Sequence, residues 1–241
     1  MVDPEKALYM RNNYLKEFEA VVESVKDDKY VILSQTAFYP KGGGVACDTG
    51  KLIRLSDNTE FPVVFVGKFD GIISHEVSAH GLQAGDKVKG IIDWDRRYKL
   101  MRYHTSAHLV SGIFNKENGA LITGNDLNVE QGRIDLSLES FDRELVAKQF
   151  EKANELIKQG MPVKVYFMTK EEAMQKPEFF KLAKGMPDVK GDIRIVDIGG
   201  YDIQADGGPH VNDLKEVKGV EFLRAENKGK NNKRIYYRLV D

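Results

Sequence analysis

Apolar and polar residues alternate in short runs through the first ninety positions of the chain. Residues 18–25, 30–34, 61–66, 72–77 and 87–92 are rich in Val, Ile and Phe, with Gly and Asp in the gaps. Runs of this length and composition predict β-strands, and their close spacing predicts a small barrel. From Asp95 the period changes. Met101, His104, His108, Val110 and Phe114 recur at helical spacing up to Asn118-Gly119, a helix stop. A boundary near Trp94 therefore separates a β-barrel domain, residues 1–94, from a second domain, residues 95–241.

Two strands, 120–123 and 133–138, are expected after the helix. Ser140 stands as an N-cap before the charged amphipathic segment 142–159. A strand over 163–168 leads into Thr169-Lys-Glu-Glu172, where Thr and Glu have capping-box spacing and predict a short helix. Residues 192–198 read as another strand, and 216–239 as a hairpin turning at 227–232. The expected class is α+β, a small N-terminal β-barrel followed by an α/β domain with a mainly antiparallel sheet.

Composition narrows the setting. A chain of 241 residues with 41% hydrophobic content can fill a packed core. Its 36 basic and 37 acidic residues nearly cancel, so a polyanion must find a local basic surface. The terminal hairpin concentrates Lys228, Lys230, Lys233, Arg234 and Arg238. Cys47, the single cysteine, excludes an internal disulfide and fits a reducing compartment. The first fourteen residues hold no apolar run of signal-peptide length, and no later stretch approaches the ~20 apolar residues of a spanning helix. A soluble cytoplasmic protein is expected.

The candidate chemistry rests on histidine. His104 and His108 are four apart on a predicted helix, so both imidazoles project from one face and can meet one metal ion. In Gln204-Ala-Asp-Gly-Gly-Pro-His210-Val, glycines permit a tight turn that aims Asp206 and His210 at one point. His75 and His80 lack ligand spacing and read as surface or turn residues. A peptidase of the His-Glu-x-x-His type is disfavoured because Thr105 occupies the position of the general base.

His104-Thr-Ser-Ala-His108, followed far along the chain by Asp206-Gly-Gly-Pro-His210, resembles the paired zinc motifs His-x-x-x-His and Cys-x-x-x-His of alanyl-tRNA editing domains. Phe38-Tyr-Pro-Lys-Gly-Gly-Gly-Val-Ala-Cys-Asp-Thr-Gly50 is similar to the glycine-rich signature of that family's N-terminal barrel. Thr123-Gly124, Arg133-Ile-Asp135 and the basic hairpin also lie where the family has similar elements. The likeness covers nearly the whole chain from about Tyr30 to Leu239, and is greatest to the medium-length free-standing type called AlaX.

The resemblance implies a trans-acting hydrolase with one Zn2+ per chain, held by His104, His108, His210 and Asp206. It would act on tRNA(Ala) mischarged with serine or glycine. Thr123 matches the family's selectivity threonine and would sense the seryl hydroxyl. Gly42, Gly43 and Gly44 would let a loop approach the RNA end, with Phe38 and Tyr39 offering faces for base stacking. Lys228, Lys230, Lys233 and Arg234 would contact phosphates. Asp206 replaces the family's usual cysteine and Pro209 a common threonine. Asp206 then either binds zinc directly or orients a histidine, leaving a position for water. Zinc either activates water or positions substrate. A tRNA-binding protein of the same fold with a decayed metal site, and an editing domain acting on a different aminoacyl-tRNA, as in threonyl-tRNA synthetases, are the alternative readings.

Overall fold

The computed structural model describes residues 5–140, 142–176, 179–180 and 191–241, so positions 1–4 of the expected barrel lie outside the described residues. The chain divides into two compact units, Met1–Lys99 and Leu100–Asp241.

In the first unit, period-two alternation buries one face of each strand. β1 (Glu17–Lys26) turns Phe18, Ala20 and Val22 inward and its glutamates outward. With β2 (Tyr30–Leu33), β3 (Gly50–Arg54), β4 (Glu60–Phe69), β5 (Ile72–Val77) and β6 (Lys87–Ile92) it closes an antiparallel barrel in the order β1-β2-β5-β4-β3-β6. β3 was not anticipated. Only Leu52 of its five residues is buried, so the sequence carries too little apolar alternation to announce it. At the β1–β6 pairing Phe18 lies opposite Gly90, where a Cβ would stand 2.3 Å from the Phe18 ring.

α1 (Trp94–Asn118) begins in this unit and crosses the division between the two. Its Arg97 is fully buried and grips Asp48 through Nε at 2.9 and 3.0 Å, while donating to the carbonyls of Asn13 and Ala37. Asp48 also accepts from the Tyr39 amide at 2.6 Å. The charge pair is thus satisfied on both sides, the condition under which burial of charge is tolerated.

The second unit holds a four-stranded antiparallel sheet, order β12-β13-β8-β7, from β7 (Ile122–Leu127), β8 (Gly132–Leu136), β12 (Gly219–Asn227) and β13 (Lys233–Val240). β7 starts two residues later than expected and runs on to Leu127, because Gly119 adopts φ +67° at the helix end and Ala120 is spent on the connection. A second antiparallel sheet runs β11-β10-β9, from β9 (Val163–Met168), β10 (Ile193–Ile198) and β11 (Asp202–Ala205).

α2 (Arg143–Gln159) is capped by Asp142, whose carboxylate accepts from the Glu144 amide at 2.8 Å; the expected cap, Ser140, lies too early. α3 (Lys170–Met174) starts at Thr169 with both hydrogen bonds of the capping box. Among the described residues no helix is long and apolar enough to cross a membrane.

His75 corrects the sequence reading, for it lies inside the barrel with no exposed surface. Its Nδ1–H donates to the Val31 carbonyl at 3.0 Å, Nε2 meets the Thr36 hydroxyl at 2.8 Å, and Phe38 packs edge-on against the ring. The inward face of β5 is an apolar position whose neighbours saturate both nitrogens, so a histidine there behaves as a neutral core residue. Burial pushes its pKa down to about 4, only partly offset by the Val31 carbonyl. The folded state resists a proton that the unfolded chain accepts near pH 6.5. The neutral ring's contribution is complete above about pH 6.5 and is lost as pH falls toward about 4, on the order of 3 kcal/mol in all. Urea unfolding at successive pH values is expected to show this loss, and His75→Gln to lessen the slope between pH 6.5 and 4 by close to one proton. An unchanged slope would mean that His75 is not the group responsible.

Candidate metal centre

α1 is buried without a break from Leu100 to Phe114, including its polar residues. On this helix His104 and His108 occupy one face, one turn apart. The strand β11 runs into the loop Asp206-Gly-Gly-Pro-His210, which folds back over them. A Cβ on Gly208 would lie 2.4 Å from Cε1 of His104, so the loop needs glycine at that point of closest approach. The Gly208 amide donates to Asp206 Oδ2 at 2.7 Å, and Arg194 of β10 donates to the Asp206 carbonyl at 2.8 Å, fixing the turn.

The result is a convergence of four donors. One atom each from His104, His108, Asp206 and His210 lies within 4.8 Å of the others. Asp206 Oδ1 stands 3.6 Å from His104 Nε2 and 3.9 Å from His108 Nε2, and Asp206 Oδ2 stands 3.1 Å from His210 Nε2. A tetrahedral ion with bonds of about 2.0–2.2 Å sets its ligand atoms about 3.3–3.6 Å apart, so the four residues could hold a small divalent cation after a modest inward adjustment.

Each imidazole has a hydrogen-bonding partner at Nδ1. His104 has the Pro209 carbonyl at 3.3 Å, His108 the Asp202 carboxylate at 2.9 Å, and His210 the Thr105 hydroxyl at 3.1 Å. A proton on Nδ1 of His104 and of His108 leaves the lone pair of Nε2 facing the common centre, whereas His210 Nε2 donates to Asp206 Oδ2 at 3.1 Å and must give up that proton to hold an ion. Thr105 also accepts from the Val211 amide at 3.2 Å, so this buried residue anchors the loop and offers no general base of the peptidase kind.

The electrostatics favour a cation. Burial pushes His104 down to about 4, with Asp206 opposing and His108 reinforcing the shift. His210 is driven well below its ordinary value, first by burial and then by His104. His104 and His210 are therefore neutral at neutral pH, the form that binds metal. Burial alone would raise the Asp206 carboxyl. His104, the hydrogen bond with His210, and His108 outweigh it and hold the group well below the usual carboxylate range.

Asp202, Gln204 and Arg194 were not picked out from the sequence. A signal existed. Asp202, Gln204 and Asp206 alternate along β11 and its extension, so their side chains share one face of the strand.

Other candidates behave differently. Thr123 is half-buried on β7 and donates to Asn232 Oδ1 at 2.9 Å; it is not a member of the cluster. Gly43 and Gly44, with φ of +56° and +79°, form the two-residue turn between Gly42 and Val45, whose backbones exchange hydrogen bonds of 3.2 and 2.8 Å. Tyr39 donates its hydroxyl to the Gly42 carbonyl at 2.9 Å. Phe38 and Tyr39 are 0% and 6% exposed and pack edge-on against Phe18 and Tyr9, so neither offers a face for stacking.

In the basic hairpin, Lys233 is 2% exposed and its ammonium donates to the carbonyls of Gly229 and Lys230, which ties the turn together from inside. Arg234 is held by both oxygens of Asp135 at 2.8 and 2.9 Å, beside Gly124 in the strand pairing. Lys228 pairs with Glu226 at 2.9 Å, and Lys230 is exposed.

Residues 6–96 match the family described as tRNA synthetases class II (A), and residues 193–236 match the threonyl and alanyl tRNA synthetase second additional domain. Alanyl-tRNA editing protein AlaX-M of Methanosarcina barkeri is 51% identical, covering 98% of this chain and 99% of that one. AlaX-M of Saccharolobus solfataricus is 44% identical over 95% and 97%. The alanine–tRNA ligase of Methanococcus maripaludis is 36% identical over 93% of this chain but only 25% of the ligase. With end-to-end similarity to the free-standing proteins and similarity to one quarter of the ligase, the chain belongs to the AlaX-M family of alanyl-tRNA editing proteins.

Proposed function

We propose that the protein is a cytoplasmic ester hydrolase that removes serine, and also glycine, wrongly attached to tRNA(Ala), at one Zn2+ held by His104, His108, His210 and Asp206. The observation carrying this reading is the convergence of three inward-facing imidazoles and a carboxylate in a chain similar along its whole length to alanyl-tRNA editing proteins. In this reading residues 1–94 form the barrel domain and residues 95–241 the zinc-binding editing domain.

A zinc ion so held supplies positive charge that polarises the ester carbonyl or activates water for attack. The three neutral rings contribute lone pairs and no charge, and Asp206 contributes a single negative charge, so a cation keeps net positive charge for the substrate. Water adds to the ester carbonyl carbon, and the bond to the ribose oxygen breaks with transfer of a proton to that oxygen. Serine and intact tRNA(Ala) are released. Thr123 gives its own proton to Asn232, which leaves its oxygen lone pairs for a seryl hydroxyl to donate into. Alanine leaves that acceptor unfilled.

The decisive experiment measures hydrolysis of seryl- and alanyl-tRNA(Ala) with metal content determined in parallel. Wild type is expected to release serine selectively. Chelation of the metal, or the pair His104→Ala and His108→Ala in a folded chain, is expected to abolish release. Metal-free protein that binds the tRNA without hydrolysing it would replace this reading with that of an RNA-binding protein.

Thr123→Val should lower the serine-to-alanine rate ratio by about tenfold, equivalent to one hydrogen bond of roughly 1–1.5 kcal/mol; a constant ratio removes Thr123 from selection. For RNA contact, the exposed Lys228 and Lys230 carry the expectation. Lys228→Gln with Lys230→Gln should weaken tRNA binding and reduce the slope of log K against log salt by about 1–2. If affinity and slope both hold, the turn faces solvent.

A further inference from the structure

The His108 ring is held from behind by a group with no part in the ligand set. Asp202 is 1% exposed, and its Oδ2 lies 2.9 Å from His108 Nδ1. The same oxygen accepts from Gln204 Nε2 at 2.6 Å, and that nitrogen also stands 3.0 Å from His108 Nδ1, so the carboxylate is the acceptor shared by both; Gln204 is itself 4% exposed. Asp202 begins β11 and Gln204 follows two residues on, so one strand face delivers both.

The approach of Asp202 to the helix depends on a residue that touches no ligand. Gly112 lies one turn beyond His108 on α1, among buried neighbours. A Cβ there would stand 2.9 Å from Asp202 Cβ and 3.0 Å from the Tyr201 carbonyl oxygen. Glycine is a poor choice for the interior of a helix. Its place where β11 approaches α1 most tightly against a Cβ is accounted for by the need to bring the carboxylate within reach of His108.

We propose that Asp202, braced by Gln204 and admitted by Gly112, is the positioning residue that fixes the tautomer and direction of His108 and thereby sets the metal affinity of the centre. A carboxylate can only accept, so it keeps the proton on Nδ1 and commits Nε2 to the ion. Its buried negative charge also makes the ring a stronger donor and partly balances a bound dication. An amide at position 202 can turn its NH2 toward Nδ1 and favour the opposite tautomer, whose Nε2 carries a proton and cannot ligate.

This inference rests on the metal reading of the four donors, and the test separates the two. The full chain and its Asp202→Asn and Gly112→Ala variants are titrated with Zn2+ against a chromophoric chelator. Thermal unfolding is recorded with and without metal, and imidazole tautomers of the metal-free forms are read by long-range proton–nitrogen NMR. The expected result is 10- to 100-fold weaker Zn2+ binding in both variants. Metal-free Tm should be preserved in Asp202→Asn, and the Nδ1–H tautomer of His108 should be lost.

Wild-type Zn2+ affinity in both variants would overturn the role of Asp202 and leave the metal centre standing. So would a metal-free Tm that falls as far as the metal-bound one, since Asp202 would then be a brace of the fold alone. A wild-type chain that takes no Zn2+ would overturn the metal reading and this inference with it.

Discussion

The second unit is organised around the requirement that three imidazoles and a carboxylate share a space where their donor atoms lie within 4.8 Å of one another. An imidazole has two nitrogens, and a metal ligand must present one of them unprotonated. The protein meets this by giving the outer nitrogen of each ring a hydrogen-bonding partner: a backbone carbonyl for His104, a carboxylate for His108 and a hydroxyl for His210. These three partners come from the loop at Pro209, from β11 and from α1 itself. The centre is therefore also the junction where those three pieces of chain are fitted together.

Glycine makes that junction possible. Gly208 lets the loop lie against the edge of the His104 ring, and Gly112 lets β11 lie against the helix. Arg194 then secures the loop by its carbonyl and adds positive charge 3.7 Å from Asp206 Oδ2. Asp206 gives the site a hard oxygen donor among nitrogens. Carboxylate and imidazole together suit zinc, and bind it with less of the selectivity that a thiolate confers.

Charge at the terminal hairpin is divided, with Lys228, Lys230 and Arg238 exposed and Lys233 and Arg234 turned to internal partners. Lys233 is spent on holding its own turn and Arg234 on Asp135, which lies opposite both Arg234 and Gly124 in the strand register. The motifs Thr123-Gly124, Arg133-Ile-Asp135 and Arg234 thus form one patch of one sheet. A count of basic residues in a sequence does not distinguish an ammonium that caps carbonyls from one that faces solvent.

The linear pattern determined what depends on neighbours along the chain. Period-two runs gave five of the six barrel strands, helical spacing gave α1 and placed His104 beside His108, and the Thr169 box gave α3. Motif likeness brought Asp206 and His210 into the same set. Tertiary structure decided what depends on contacts between distant segments. β3 is held by pairing with β4 and β6 and has scant alternation of its own. His75 is buried because strand neighbours 39 and 44 residues away fill both its nitrogens. Asp202 meets His108, 94 residues away in the chain, because β11 approaches α1 at a glycine. Local propensity and spacing are properties of the sequence alone, whereas burial, tautomer and the inward or outward use of a charge are set by packing.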